Sequence, residues 1–104
     1  MKAEFENLAL IKNQESKRFE LSVDGYIAFI NFKERNTVIS LIHTESPPEL
    51  AGRGVATALI EKTLSYIEEN RYELVPLCPL VFAYIKKNSA WLRIVRDDYK
   101  QKFF

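Results

Sequence analysis

The sequence predicts an α/β domain built on a mixed (α+β) sheet: an antiparallel meander, then strand, loop, helix, strand and helix. Three observations carry this prediction. Between Phe19 and Thr44, apolar residues fall at strand spacing in runs separated by short polar turns. From Val55 onward the apolar period becomes that of a helix. Between the two lies Pro47-Pro48-Glu49-Leu50-Ala51-Gly52-Arg53-Gly54, in which prolines stop a strand and glycines open a helix.

Residues 3–12 lack a clear period, although Leu8 and Leu10 suggest a short strand. Asn13-Gln14-Glu15-Ser16-Lys17 is a polar connection. Phe19, Leu21 and Val23 then alternate with Glu20 and Ser22, as in a half-buried strand. Asp24-Gly25 signals a hairpin turn. Tyr26 to Phe32 is apolar at nearly every position, which predicts a strand covered on both faces. After a turn at Lys33-Glu34-Arg35-Asn36, the β-branched run Thr37–Thr44 makes the next strand.

Val55, Ala56, Leu59, Ile60, Thr63, Leu64 and Ile67 define the buried stripe of one long helix, with Asn70 as its C-cap. Tyr72–Leu77 is a short strand. A helix separates it from Thr37–Thr44, so the two should be parallel neighbours joined by a right-handed crossover. Pro79 suits the first turn of a second helix, which carries Leu80, Val81, Phe82, Tyr84 and Ile85 and ends at Lys86-Lys87-Asn88. Trp91–Phe104 reads as a short helix packed on the domain.

Composition narrows the function. A chain of 104 residues fits one domain, 1–104, and its 47% hydrophobic content is that of a folded protein. A net charge of +1 supplies no general field for nucleic acid or an anionic membrane. The single cysteine, Cys78, excludes an internal disulfide and points to a reducing, cytoplasmic compartment. The N-terminal residues lack the apolar core of a signal peptide, and no apolar run is long enough to span a bilayer. One His and one Cys argue against a structural zinc site, so no metal is expected. The expected state is a monomer or weak dimer.

The loop before the long helix has the make-up of an anion site. A helix start leaves several N–H groups unpaired and carries partial positive charge. Glycines admit close approach of a phosphate, and Arg53 adds a formal charge. A plain helix-capping loop is the alternative. The mononucleotide P-loop pattern is absent. The dinucleotide fingerprint fails because Gly52-Arg53-Gly54-Val55-Ala56-Thr57 ends in Thr and follows a meander strand.

A third pattern fits. Glu49-Leu50-Ala51-Gly52-Arg53-Gly54 resembles the loop Gln/Arg-x-x-Gly-x-Gly/Ala of the GNAT acyltransferase superfamily, with Glu49 in place of the usual first residue. Further blocks are Arg18-Phe19-Glu20, Asp24-Gly25, His43-Thr44-Glu45, Val75-Pro76-Leu77-Cys78-Pro79 and Tyr84-Ile85-Lys86-Lys87. Their order and spacing, from about residue 8 to 88, resemble the small single-domain GNAT-like family of minimal acetyltransferases. Where that family usually has His-Pro-Glu-Tyr after the basic pair, this chain reads Asn88-Ser89-Ala90-Trp91.

The resemblance implies a minimal GNAT fold and binding of acetyl-CoA or coenzyme A. Contacts are implied at Thr44, Leu50, Ala51, Gly52, Arg53, Gly54, Val55 and Ala56. Lys86, Lys87 and Asn88 are implied nearer the 3′-phosphate; ordinary helix-end charges are the alternative for the two lysines. The implied reaction moves an acetyl group to an amine acceptor, such as a protein or peptide lysine. The alternative is a non-catalytic CoA-, acyl-CoA- or protein-binding module with the same fold.

Amine acetylation sets chemical requirements. A lysine amine, with a reference pKa of about 10.4, is neutral in roughly one molecule in a thousand near pH 7, so a base must help. His43 and Glu45, two apart on one strand, share a face and are the candidate bases. A backbone-bonded histidine and a solvated turn glutamate are the plainer readings. Cys78 ends the neighbouring strand and could act as nucleophile or as proton donor to the leaving thiolate. It could also be a small buried hydrophobe. Tyr84 reads as a packing residue.

Overall fold

A computed structural model describes residues 1–104. Strands β1 (Ile11–Asn13), β2 (Arg18–Val23), β3 (Tyr26–Arg35), β4 (Val38–Glu45) and β5 (Glu73–Pro76) form one sheet in that spatial order. The first four pair antiparallel, and β5 joins β4 in parallel. The helices are α1 (Ala3–Glu6), α2 (Val55–Glu69), α3 (Pro79–Lys87) and α4 (Asp97–Lys100). This is the mixed-sheet arrangement predicted from the sequence, and it is compatible with the minimal GNAT fold. No helix is long and apolar enough to cross a membrane.

The β2–β3 turn is made by Asp24 and Gly25, both at positive φ (51° and 81°). That pair suits a two-residue hairpin, whose twist matches the strands it joins. Phe19, Leu21 and Val23 of β2 share one buried face with Ala28, Ile30 and Phe32 of β3 and with Ile39 and Leu41 of β4. Helix α2 covers this face with Val55, Ala58, Leu59, Ile60, Leu64 and Ile67. Thr63 is also fully buried, and its hydroxyl is satisfied by donating to the Leu59 carbonyl at 2.8 Å.

Some elements differ from the sequence reading. β3 is buried on one face only: Tyr26 and Ile27 are exposed, and Phe29 is shielded by the Arg18 guanidinium, 4.2 Å from its ring centre. An apolar run signals double cover only where elements pack on both faces. Here a cationic side chain does part of that work. Residues 3–6 form a helical turn because Phe5 is drawn into the core, at 1% exposure, and the first strand begins later, at Ile11. The second hairpin is tighter than expected, with β3 running to Arg35 and Asn36 taking φ 54°.

The C-terminal tail is less regular than one helix. A 3-10 segment, Ser89–Ile94, leads to Val95, which bridges in parallel to Leu74 of β5. α4 and a last 3-10 turn follow, and Phe103 stacks on Phe82 of α3 at 4.1 Å between ring centres.

Lys12 closes one end of the core. Its ammonium lies 5.2–5.5 Å from the ring centres of Phe32, Tyr66 and Tyr72 and donates to Glu34. Glu34 also accepts from Tyr72 Oη at 2.8 Å. The Lys12 hydrogen bond holds the Glu34 carboxyl below its ordinary value of 4.5. Glu34 therefore binds a proton less readily folded than unfolded. Its contribution is complete above the ordinary value and is lost as pH falls through the lowered one. Glu34→Gln should lower the melting temperature at neutral pH, with the difference shrinking below about pH 4.5. Thermal melts followed by circular dichroism across that range check this; a constant difference contradicts it.

Candidate functional site

After β4 the chain makes a 3-10 turn, Pro48–Leu50, held down by Leu50 at 2% exposure. Burying that side chain contributes about 2 kcal/mol. Gly52 and Gly54 follow at φ 75° and 83°, a region other residues enter at a cost. Gly54 caps α2 without a side-chain bond. The backbone N–H groups of Gly52, Gly54, Val55, Ala56 and Thr57 have no backbone acceptor; pairing resumes with Ala58, which donates to Gly54 O. These residues line a depression of about 270 Å³ with Ser46, Pro47, Pro48, Leu50 and Ala51. Unpaired N–H groups and the positive end of a 15-residue helix face it together.

Arg53 points elsewhere. Its guanidinium donates to Asp24 Oδ2 at 2.6 Å and to Glu4 Oε1 at 3.3 Å. It thus ties the loop to the β2–β3 turn and to α1.

The second feature is a parting of strands. The β4–β5 ladder runs from Val38–Glu73 to Leu41–Pro76 and stops. The N–H groups of both Leu77 and Cys78 then donate to Leu41 O, at 3.0 and 2.8 Å. Beyond that point β4 continues to Glu45 paired with β3 alone, so its other edge has no strand partner. Across the opening, Thr44 Oγ1 and Cys78 Sγ lie 3.2 Å apart.

A bulge between Asn31 and Phe32 of β3 inserts Ile42 and decides which way the end of β4 faces. Thr44 pairs with Ile30, a core-face residue, whereas His43 pairs with Asn31 and Glu45 with Phe29. Directly opposed residues share a face. Thr44 and buried Cys78 therefore sit on the core side of the opening, and His43 and Glu45 on the other. His43 Nε2 is 3.9 Å from Glu45 Oε1, with both side chains about 60% exposed (59% and 62%). Neither bonds to Cys78.

The third feature is a groove of about 350 Å³ between the start of α2 and the face of α3, lined by Ala56, Thr57, Ile60, Leu80, Ala83, Tyr84, Lys87 and Asn88. It shares Ala56 and Thr57 with the loop depression, so the two adjoin. Tyr84 donates to Glu61 across the groove. Burial, then that bond, push its hydroxyl up to about 12, so it stays neutral. Of the residues expected from the sequence, Lys87 and Asn88 line this groove with Ala56, while exposed Lys86 does not.

The sequence reading missed Thr57, Ile60, Leu80 and Ala83 as groove residues, and took Tyr84 for a packing residue only. A signal existed: Leu80, Ala83, Tyr84 and Lys87 fall at helical spacing on one side of α3. What the spacing could not reveal is that this side faces an open cleft.

With this geometry in place, the relation to known proteins is direct. Residues 18–94 match the family model of the GCN5-related N-acetyl-transferases, and the chain belongs to that family. Comparison with curated proteins returns no match.

Cys78 is 2% exposed and bonded to Thr44. In the native protein it should react with a thiol reagent at least about a hundredfold more slowly than in denaturant, since local opening must come first. Time-resolved thiol titration checks this; equal rates would place the thiol at the surface.

Proposed function

We propose that the protein binds acetyl-CoA across the loop, the strand opening and the α2–α3 groove, and transfers the acetyl group to an amine acceptor such as a protein or peptide lysine. One observation carries this reading: the unpaired N–H groups of Gly52 and of Gly54 to Thr57 at the mouth of the β4–β5 opening, in a chain of this family. A pyrophosphate suits those donors and the helix end. The free edge of β4 offers N–H and C=O groups to a chain of amides, as a sheet edge does to an added strand. Lys87 and Asn88 stand where the groove ends and suit the 3′-phosphate, with Lys86 beside them. Acetyl-CoA brings a thioester whose carbonyl carbon an amine can attack.

The roles of the chain's own groups follow from the two sides of the opening. Glu45 or His43, open to solvent, takes the proton from the acceptor amine. A backbone N–H on the free β4 edge stabilises the charge that develops on the acyl oxygen. The Thr44–Cys78 pair, on the core side, returns a proton to the departing thiolate. Burial of Cys78 favours this role over that of an exposed nucleophile. Leu50 and Val55 act by anchoring the loop, with Ala51 and Ala56 contributing main chain and small size.

A second reading, a CoA- or acyl-CoA-binding module without transfer, draws on one observation: His43 and Glu45 are well exposed and unconnected to Cys78. Acetyl-CoA turnover that depends on an added amine separates the two; binding without such turnover selects the module.

Calorimetric titration is the primary test. Acetyl-CoA should bind at micromolar strength and dephospho-CoA more weakly. No binding of either at millimolar ligand refutes the site. Gly52 has open space around an added Cβ but a positive φ. Gly52→Asn, which tolerates that φ, should retain most binding, and Gly52→Asp should abolish it by setting a carboxylate among the donors. Equal affinities in the two variants would sink the phosphate assignment. Cys78→Ala should bind acetyl-CoA normally and turn over more slowly; unchanged turnover removes Cys78 from the chemistry.

A further inference from the structure

The loop's arginine is held by Asp24 and Glu4, so the phosphate site lacks the formal charge the sequence suggests for it. Backbone N–H groups carry only partial charge, whereas a pyrophosphate carries about two negative charges. A second cation is close by. The Lys2 side chain lies against Gly54: a Cβ added to Gly54 would stand 3.4 Å from Lys2 Cε and 3.7 Å from its Nζ. Gly54 is the residue that opens α2, between the unpaired N–H groups of Gly52 and Val55. No acidic side chain or carbonyl engages the Lys2 ammonium, and the residue is exposed.

The position of Lys2 is built into the fold. It immediately precedes α1, whose Phe5 is buried in the core. Glu4 of α1 pairs with Arg53 of the loop, and Lys62 of α2 donates to the Glu6 carbonyl at 3.1 Å. These ties fix α1 to both the loop and the helix. Because Gly54 has no side chain, the methylenes of Lys2 pass close over the helix start.

We propose that Lys2 is a phosphate-binding residue, its ammonium pairing with the pyrophosphate of coenzyme A on the Gly52–Gly54 loop in the role that Arg53 is not free to fill. This rests on the CoA-binding reading above. Lys2 lies outside residues 18–94, so the contact belongs to this chain's own N-terminal segment and not to the region that matches the family.

The experiment is calorimetry of the full chain and of Lys2→Gln, Lys2→Glu and Lys2→Arg with coenzyme A, dephospho-CoA and pantetheine. Lys2→Gln should weaken coenzyme A and dephospho-CoA by the same factor, roughly five- to tenfold, as expected for one charge-assisted bond. Lys2→Glu should lose more and Lys2→Arg should keep near-native affinity. Pantetheine, which has no phosphate, should bind all four proteins alike. Unchanged melting temperatures exclude a folding defect, since Lys2 is exposed. If the unaltered chain binds coenzyme A and Lys2→Gln binds it equally well, the Lys2 assignment falls and the site stands. If the effect disappears with dephospho-CoA, Lys2 does not act at the pyrophosphate and the assignment falls. If the unaltered chain binds neither nucleotide, the CoA-binding reading fails and takes this inference with it.

Discussion

The site depends on one carbonyl. Leu41 O accepts from two successive N–H groups, those of Leu77 and Cys78, and this pair of hydrogen bonds to one acceptor is where the parallel ladder ends. Once both donors are turned to Leu41, β5 has nothing left to give β4, and the chain bends into α3 at Pro79. Pro79 lacks an N–H and so cannot extend the ladder, but it suits the first turn of a helix. The end of β4 is left with one free edge and the sheet acquires a cleft inside its own plane. The Gly52–Gly54 loop, which leaves that same end of β4, opens beside it.

The bulge at Ile42 gives the cleft two chemically different sides. Without it, strand alternation would reverse the facing of His43, Thr44 and Glu45. With it, the hydroxyl of Thr44 meets buried Cys78 at 3.2 Å, and the imidazole and carboxylate lie on the opposite, wet side. In the proposed reaction this division would place the group that takes the amine proton and the group that gives one to the thiolate on opposite sides of the cleft.

The N-terminal segment works as a brace for the Gly52–Gly54 loop. Phe5 anchors it in the core, Glu4 and Asp24 hold Arg53 from two directions, and Lys2 reaches Gly54. Exposed ion pairs of this kind contribute little to global stability. Their effect is on position: the N-terminal segment and the β2–β3 turn converge on a loop that has two left-handed glycines.

Local pattern was enough to read much of the fold. Period-2 and period-3.6 spacing, Asp24-Gly25, Pro79 and the paired glycines each specify a backbone shape through interactions a few residues long, and the chain adopts those shapes. The sequence by itself also determined the family, since residues 18–94 match its model. Only the tertiary structure decided which charges meet. Arg53 lies within the Gly52–Gly54 loop in sequence, yet it turns to Asp24 and Glu4. Lys2 is fifty-two positions from Gly54 and packs against it. The facing of His43 against Thr44 likewise hangs on a bulge that no periodicity announces, and the cover of Phe29 on a guanidinium from the next strand. The physical reason is common to all of them. Backbone geometry is set by neighbours in the chain, whereas ion pairs, bulges and clefts arise where distant segments compete for the same space and the same hydrogen-bonding groups.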